Sequence, residues 1–281
     1  MPQYPLPVVM VSSLTQKGKQ ITLDCLEAGA VDFVAKPTSN VAQGLAAMMM
    51  ELRAKVKIAS TANVSHWKSK RAALPGRSQP RHTGSLAEST DKVIAIGAST
   101  GGTEAIKKVI TEFPATMPGV VIVQHMPAGF TKMFSDRLNQ LCAMEVKEAQ
   151  SGDRVMPGRI LIAPGGLHMR VRRSGGIYLV GCEAGETVSG HCPSVDVMMH
   201  SVAQNVGANA VGIMLTGMGA DGADGMLAMR KAGARTMAQD EASSVVFGMP
   251  KVAFERGGAE RLLPLDDISA ATIRLLSERK G

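Results

Sequence analysis

Val93-Ile94-Ala95-Ile96-Gly97-Ala98-Ser99-Thr100-Gly101-Gly102 decides the fold: an unbroken apolar run enters a glycine-rich turn, and a helical stretch follows from Thr103. An apolar run without alternation marks a strand buried on both faces, the habit of parallel sheets covered by helices. The same unit recurs at Val120 to Gln124, with a helix expected near Ala128 to Cys142. It recurs again at Ala210 to Leu215, with a helix from about Gly222. This alternation predicts an α/β domain built on a doubly wound, mostly parallel sheet. Arg159 to Ala163 reads as one more strand. His168 to Arg172 and Ile177 to Gly181, around Gly175-Gly176, read as an antiparallel hairpin added to the sheet.

Ahead of this domain, residues 58–90 carry prolines, Ser, Thr and mixed charge without apolar periodicity, which is the composition of a linker. Trp67, the only tryptophan, falls in it and is expected to pack on a flanking domain. Residues 1–57 form a separate segment: an apolar run (Val8 to Val11), a helical stretch to Leu26, a short strand (Val31 to Val34) and a second helix from about Val41. The expected organisation is therefore a small N-terminal segment over 1–57, a linker over 58–90 and a large domain over 91–281.

Bulk properties narrow the function. The 281 residues are 45% apolar and 20% charged, the composition of a soluble globular chain. No apolar run approaches the roughly 20 residues of a membrane span, and the N-terminus lacks the basic and then apolar pattern of a signal peptide. No membrane insertion and a cytoplasmic location are expected. The four cysteines (Cys25, Cys142, Cys182, Cys192) include no Cys-x-x-Cys pair, against a zinc ribbon or redox motif, and are read as reduced thiols. The net charge of +7 is concentrated partly in Lys68, Lys70, Arg71, Arg77 and Arg81 of the linker, and aromatics are only 3%. Nucleic acid is not an expected partner.

In an open parallel sheet, ligands bind beyond the carboxyl ends of the strands. Three of those ends carry reactive groups: Ser99 after the first apolar run, His125 after the second, and Asp221 in the Thr216 to Gly222 loop after the third. A hydroxyl becomes a nucleophile when a hydrogen-bonded imidazole takes its proton, and a buried carboxylate fixes the imidazole tautomer. Ser99, His125 and Asp221 are accordingly the candidate nucleophile, base and acid. Backbone N–H groups around Thr100 to Gly102, with one from Gly217-Met218-Gly219, are candidates for an oxyanion hole; Thr100 and Met218 are the named donors.

Other readings stand beside this one. A G-x-S-x-G pattern also marks phosphate-binding turns or plain packing. The order Ser, His, Asp differs from that of α/β-hydrolases. His191 is the reserve candidate for the base; His66 and His82 fall in the linker, His168 near a glycine-rich turn, and His200 in the helical stretch Val195 to Val206. Asp224 is a rival acid better suited to capping. Cys192 beside His191 raises a cysteine hydrolase, although such pairs meet in space and not along the chain. A dinucleotide-binding domain would use Gly97 to Gly102 but calls for G-x-G-x-x-G, and a non-catalytic receptor scaffold would need no triad. No metal site is expected, because Asp221 to Asp224 lacks the alternating acidic ligands of a calcium loop.

Four separated motifs, I-G-A-S-T-G-G at 96–102, Q-H-M-P at 124–127, L-T-G-M-G-A-D-G at 215–222 and F-G-M-P at 247–250, together resemble the chemotaxis protein-glutamate methylesterases, the CheB family, from about Val93 to the chain end. The resemblance implies Ser99, His125 and Asp221 as the triad, no cofactor, and hydrolysis of glutamate γ-methyl esters on the signalling helices of methyl-accepting chemoreceptors. It also implies methanol release and, in many members, glutamine deamidation. Pro193-Ser194-Val195-Asp196 fits the family and is expected to help build the surroundings of the site.

Residues 1–57 resemble the last part of a flavodoxin-like response-regulator receiver domain, with Ser12 as its hydroxyl, Phe33 as its switch aromatic and Lys36 as its phosphate-pairing lysine. In full-length members the chemotaxis histidine kinase phosphorylates that domain. The acidic strands it needs are not found here, and neither Asp24 nor Asp32 replaces them. A weakly ordered remnant, or a fragment of a longer product, is expected.

Overall fold

The computed structural model describes residues 6–37, 41–64 and 91–277. The chain forms two compact units, Met1–Gln79 and Pro80–Gly281. Trp67, His66, His82 and the linker from residue 65 to 90 lie outside the described residues.

In the first unit, strand β1 (Val9–Ser12) pairs in parallel with β2 (Asp32–Ala35). Helix α1 (Gln16–Glu27) connects them and α2 (Val41–Ala59) follows. Thr15 caps α1 by accepting the Gly18 N–H at 3.1 Å, and Leu23 and Leu26 turn inward. Lys55 of α2 reaches β2, donating to Asp32 Oδ1 at 3.1 Å and to the Phe33 carbonyl at 2.6 Å.

The second unit is built on strands β3 (Val93–Ala98), β4 (Gly119–Gln124), β5 (Glu145–Glu148), β7 (Arg159–Ile162), β10 (Ala210–Met214), β11 (Arg235–Gln239) and β12 (Leu262–Leu263). They form one seven-stranded sheet in the order β12-β11-β10-β3-β4-β7-β5, and every pairing in it is parallel. β3 and β4 are buried along their whole length. Removing a Val or Ile side chain of such a strand from water stabilises by about 1.5–3 kcal/mol, which is why these strands read as continuous apolar runs.

The hairpin β8 (His168–Ser174) and β9 (Ile177–Glu183) forms as expected around its glycine turn, but it does not extend the main sheet. With β6 (Arg154–Val155) it makes a separate three-stranded antiparallel sheet. Alternation explains the difference. Met169, Val171, Tyr178 and Val180 form one apolar face that needs a cover, and helix α5 (Val195–Asn205) supplies it. The opposite side of α5 meets β3, β4 and β10, so Val195, Met198 and Val202 join Val93, Ala95 and Val121 in one core cluster.

The remaining helices are α3 (Gly102–Ile110), α4 (Phe130–Asn139), α6 (Ala223–Lys231), α7 (Met249–Glu255) and α8 (Leu265–Ser277). α3 buries Ala105, Ile106, Val109 and Ile110, a helical spacing, and packs on α8. Among the described residues, no helix is long and apolar enough to cross a membrane and no cluster of three His, Cys, Asp or Glu is placed to hold a metal ion.

Candidate active site

The strand order puts β3 between β10 and β4, the point where successive connections leave in opposite directions across the sheet. A crevice forms at such a reversal. Ser99 follows β3, His125 follows β4 and Asp221 follows β10, so the three candidates come from the three central strands. Ala98 of β3 is in register with Gln124 of β4, and Ser99 and His125 are the next residues along each chain.

His125 and Asp221 are hydrogen-bonded, Nε2 to Oδ2, at 2.7 Å, with side chains 7% and 1% exposed. The carboxylate takes three further hydrogen bonds at the start of α5: from Ser194 Oγ at 2.7 Å, Val195 N–H at 2.7 Å and Asp196 N–H at 3.1 Å. A helix N-terminus is a natural seat for an anion. Burial alone pushes the Asp221 carboxyl up, but His125, by hydrogen bond and charge, together with Ser194 Oγ and Val195 N–H, brings it down to about 2. Asp196 shows the opposite balance: burial holds it above the usual carboxylate range, against the Gly225 and Gly222 N–H groups, and the Asp221 charge adds to the rise.

Because Nε2 faces the acid, its proton lies there and Nδ1 is left as the basic nitrogen. Nδ1 is buried and has no hydrogen-bond partner, so the Ser99 hydroxyl is not joined to the ring in this structure. His191, the reserve base, stacks on His125 with ring centroids 3.7 Å apart. His168 is buried against Ser194 and His200 is exposed on α5. Asp224 is on the surface of α6, paired with Arg256 at 2.6 Å. Burial pushes the Cys192 thiol up, which disfavours a thiolate nucleophile, and raises Cys142 and Cys182 to about 11; all four cysteines are unpaired.

Backbone and amide bonds hold the nucleophile turn. Ser99 N–H donates to the Thr216 carbonyl at 3.0 Å, and His125 N–H to the Ala98 carbonyl at 3.1 Å. Gln124 is buried between the two, its Nε2 donating to the carbonyls of Ser99 at 2.9 Å and His125 at 3.2 Å. Only glycine fits at 102, since a Cβ there would lie 2.1 Å from Gln124 Oε1.

The oxyanion candidates separate. Gly102 N–H donates to the Ser99 carbonyl at 2.7 Å and Gly217 N–H to the Val246 carbonyl at 3.1 Å, so neither is available to a ligand. Thr100 is buried beside Ser99, and Met218 is 50% exposed. The F-G-M-P segment buttresses this loop, with Gly248 and Met249 N–H both donating to the Gly217 carbonyl at 3.1 and 2.8 Å. Gln124, Thr216, Ser194 and His168 are site residues to which sequence reasoning gives no individual role; the Q-H, L-T-G and P-S-V-D strings point to the first three, and His168 lies in no such string.

Of the receiver-like candidates, Ser12 ends β1, accepting from Thr22 Oγ1 at 2.5 Å and donating to the Gly18 carbonyl at 3.1 Å. Phe33 is buried, with Lys55 Nζ 5.4 Å from its ring centre, and Lys36 N–H donates to the Ser12 carbonyl at 2.7 Å.

Comparisons with known proteins identify the family. A family model described as CheB methylesterase matches residues 94–272. A protein of Syntrophotalea carbinolica named protein-glutamate methylesterase/protein-glutamine glutaminase is 73% identical over 280 residues, covering 100% of this chain and 79% of that protein. A protein of the same name from Sulfurimonas denitrificans is 55% identical over 284 residues, covering 100% of this chain and 80% of its own length. The crystal structure of the Thermotoga maritima CheB methylesterase catalytic domain superposes with a TM-score of 0.64 at 36% identity, covering 66% of this chain and 98% of that one. By sequence over its whole length and by the fold of its larger unit, the chain belongs to the CheB methylesterase family.

Proposed function

We propose that the chain is a serine hydrolase that removes γ-methyl esters from glutamates of chemoreceptor signalling helices, in the cytoplasm, during chemotaxis adaptation. The observation that carries this reading is the His125–Asp221 hydrogen bond, which leaves Nδ1 buried and unpartnered at the strand end beside Ser99. The names of the relatives, protein-glutamate methylesterase/protein-glutamine glutaminase, supply the ester and amide chemistry.

Ser99 Oγ attacks the ester carbonyl carbon while its proton passes to His125 Nδ1. This step requires the Ser99 hydroxyl to reach Nδ1 once substrate is bound, a contact not formed in the free chain; catalytic hydrogen bonds are commonly long before substrate binds. Asp221, an anion held by four hydrogen bonds, stabilises the imidazolium through Nε2. The N–H groups of Thr100 and Met218 receive the oxyanion; one such donor is worth about 3 kcal/mol. Collapse breaks the ester bond and His125 returns its proton to the leaving methoxide, giving methanol. Water, activated by the same nitrogen, then frees the glutamate and Ser99. With glutamine as substrate the leaving group is ammonia, and the same residues perform deamidation.

Residues 1–57 are read as the C-terminal part of a receiver domain, a reading supported by two parallel strands, each followed by a helix. Residues 91–281 carry the esterase. The test is methanol release from a receptor fragment bearing radiolabelled methyl esters. Release by the native chain and none by Ser99→Ala is the expected result; equal release by both contradicts the proposal.

A further inference from the structure

The smaller antiparallel sheet contributes no candidate triad residue, yet a buried chain of hydrogen bonds runs from it to the base. His168, the first residue of β8, is 4% exposed. Its Nε2 donates to the Glu186 carbonyl at 2.8 Å and its Nδ1 accepts the Ser194 N–H at 3.2 Å. An imidazole that donates at one nitrogen and accepts a backbone N–H at the other is neutral, with its proton on Nε2.

Ser194 has 0% exposure and is the N-cap of α5. Its hydroxyl accepts the Val197 N–H at 3.3 Å, which directs its single proton to Asp221 Oδ1, 2.7 Å away. A cap residue needs only to accept; this one also donates, to the acid of the triad. The other carboxylate oxygen is shared by Val195 N–H and His125. Ser194, together with the longer bond from the Asp196 N–H at 3.1 Å, therefore pins the oxygen that the base does not use and restrains the carboxylate from turning about its Cβ–Cγ bond.

We infer that Ser194 and His168 are positioning residues for the hydrolytic site: Ser194 fixes the plane of the Asp221 carboxylate, and His168 fixes Ser194 to the small sheet. This rests on Asp221 acting as the triad acid. It also gives the small sheet a task in catalysis, as the anchor of the segment that orients the acid.

Capping alone would make Ser194→Ala a stability variant, so the test must separate the two effects. Turnover and KM are measured with methyl-esterified receptor fragment for Ser194→Ala in the native chain and in an Asp221→Asn background, along with thermal midpoints. Loss of a hydrogen bond to a charged group predicts a fall in kcat of about tenfold, with KM within about twofold. In the Asp221→Asn background the same change should alter the residual kcat by less than about twofold, because the group it orients is already neutral. His168→Gln, which keeps one donor and one acceptor, should lose less kcat than His168→Phe and serves if Ser194→Ala does not fold. Equal losses in both backgrounds, or an unchanged kcat, overturn the inference; for the histidine pair, equal kcat values do so. A near-native kcat for Asp221→Asn alone instead removes the triad reading itself.

Discussion

His191 lies flat against His125, with ring centroids 3.7 Å apart and planes 13° from parallel. The ring that sequence reading keeps in reserve as a base therefore covers the base. A stacked ring restricts rotation of His125, excludes water from one face and places polarisable electrons beside the imidazolium that forms during attack. Aromatic pairs contribute about 0.5–1.5 kcal/mol beyond their buried area, so His191→Ala should slow turnover by about three- to tenfold and His191→Phe by less. Steady-state kinetics on the two variants check this; full activity in His191→Ala would show that the stack is idle.

Gln124 ties the carbonyls of the nucleophile and the base through one amide nitrogen. Its Oε1 is buried without a hydrogen-bond partner, an unfavourable arrangement that the fold tolerates here. Gln124→Met removes the clamp at nearly constant volume. The expected outcome is a fall in kcat of about tenfold or more, with a thermal midpoint changed by only a few degrees. A midpoint collapse with kcat per folded molecule intact would identify the residue as structural only.

Asp196 and Asp221 are neighbouring carboxyls driven in opposite directions. The raised carboxyl of Asp196 favours folding only while protonated: that contribution is complete below its unfolded value near 4 and is lost as pH rises through the folded value. Asp221, brought down to about 2, contributes stability that is present above its unfolded value and lost as pH falls through about 2. Asp196→Asn keeps an acceptor for the Gly225 N–H, bonded at 2.7 Å, and removes the charge beside Asp221. Thermal melts should show the variant equal to or more stable than the native chain at pH 7, with that advantage shrinking towards pH 4. A clear loss at pH 7 would mean that the ionised form is needed.

Gly222 adopts φ +90°, and a Cβ there would lie 2.5 Å from Met214 Cε and 2.5 Å from Val195 Cγ1. It follows Asp221 directly and caps α6. Gly222→Ala combines a left-handed backbone, costing about 1–3 kcal/mol, with a clash against the residue whose N–H holds Asp221. Lower thermal stability and reduced turnover should appear together. Native values for both would show that the loop relaxes without moving the acid.

The three strands that carry the candidate triad are legible because burial on both faces writes them as unbroken apolar runs, with Ser99 and His125 just past theirs and Asp221 in the loop that follows the third. β5 and β11 are not legible in that way. β5 reads Glu-Val-Lys-Glu and buries only Val146 at the sheet edge. β11 reads Arg-Thr-Met-Ala-Gln, whose buried Thr236 and Gln239 look like surface residues. The hairpin shows its alternation and turn but not its partner, so its separation from the main sheet depends on α5 taking the space between. Within the site, residue types and order are visible in the chain. Which imidazole nitrogen faces the acid is not, and neither is the link from His168 through Ser194 to Asp221, because these depend on side-chain directions across segments far apart in sequence.

The most direct test of the account is covalent labelling with a fluorophosphonate, read by peptide mass spectrometry. Activation of Ser99 by His125 and Asp221 predicts a single phosphonyl adduct on the peptide carrying Ser99, absent in Ser99→Ala and slowed by orders of magnitude in His125→Ala and Asp221→Ala. An adduct elsewhere, or labelling of Ser99 at the native rate in His125→Ala, would contradict it.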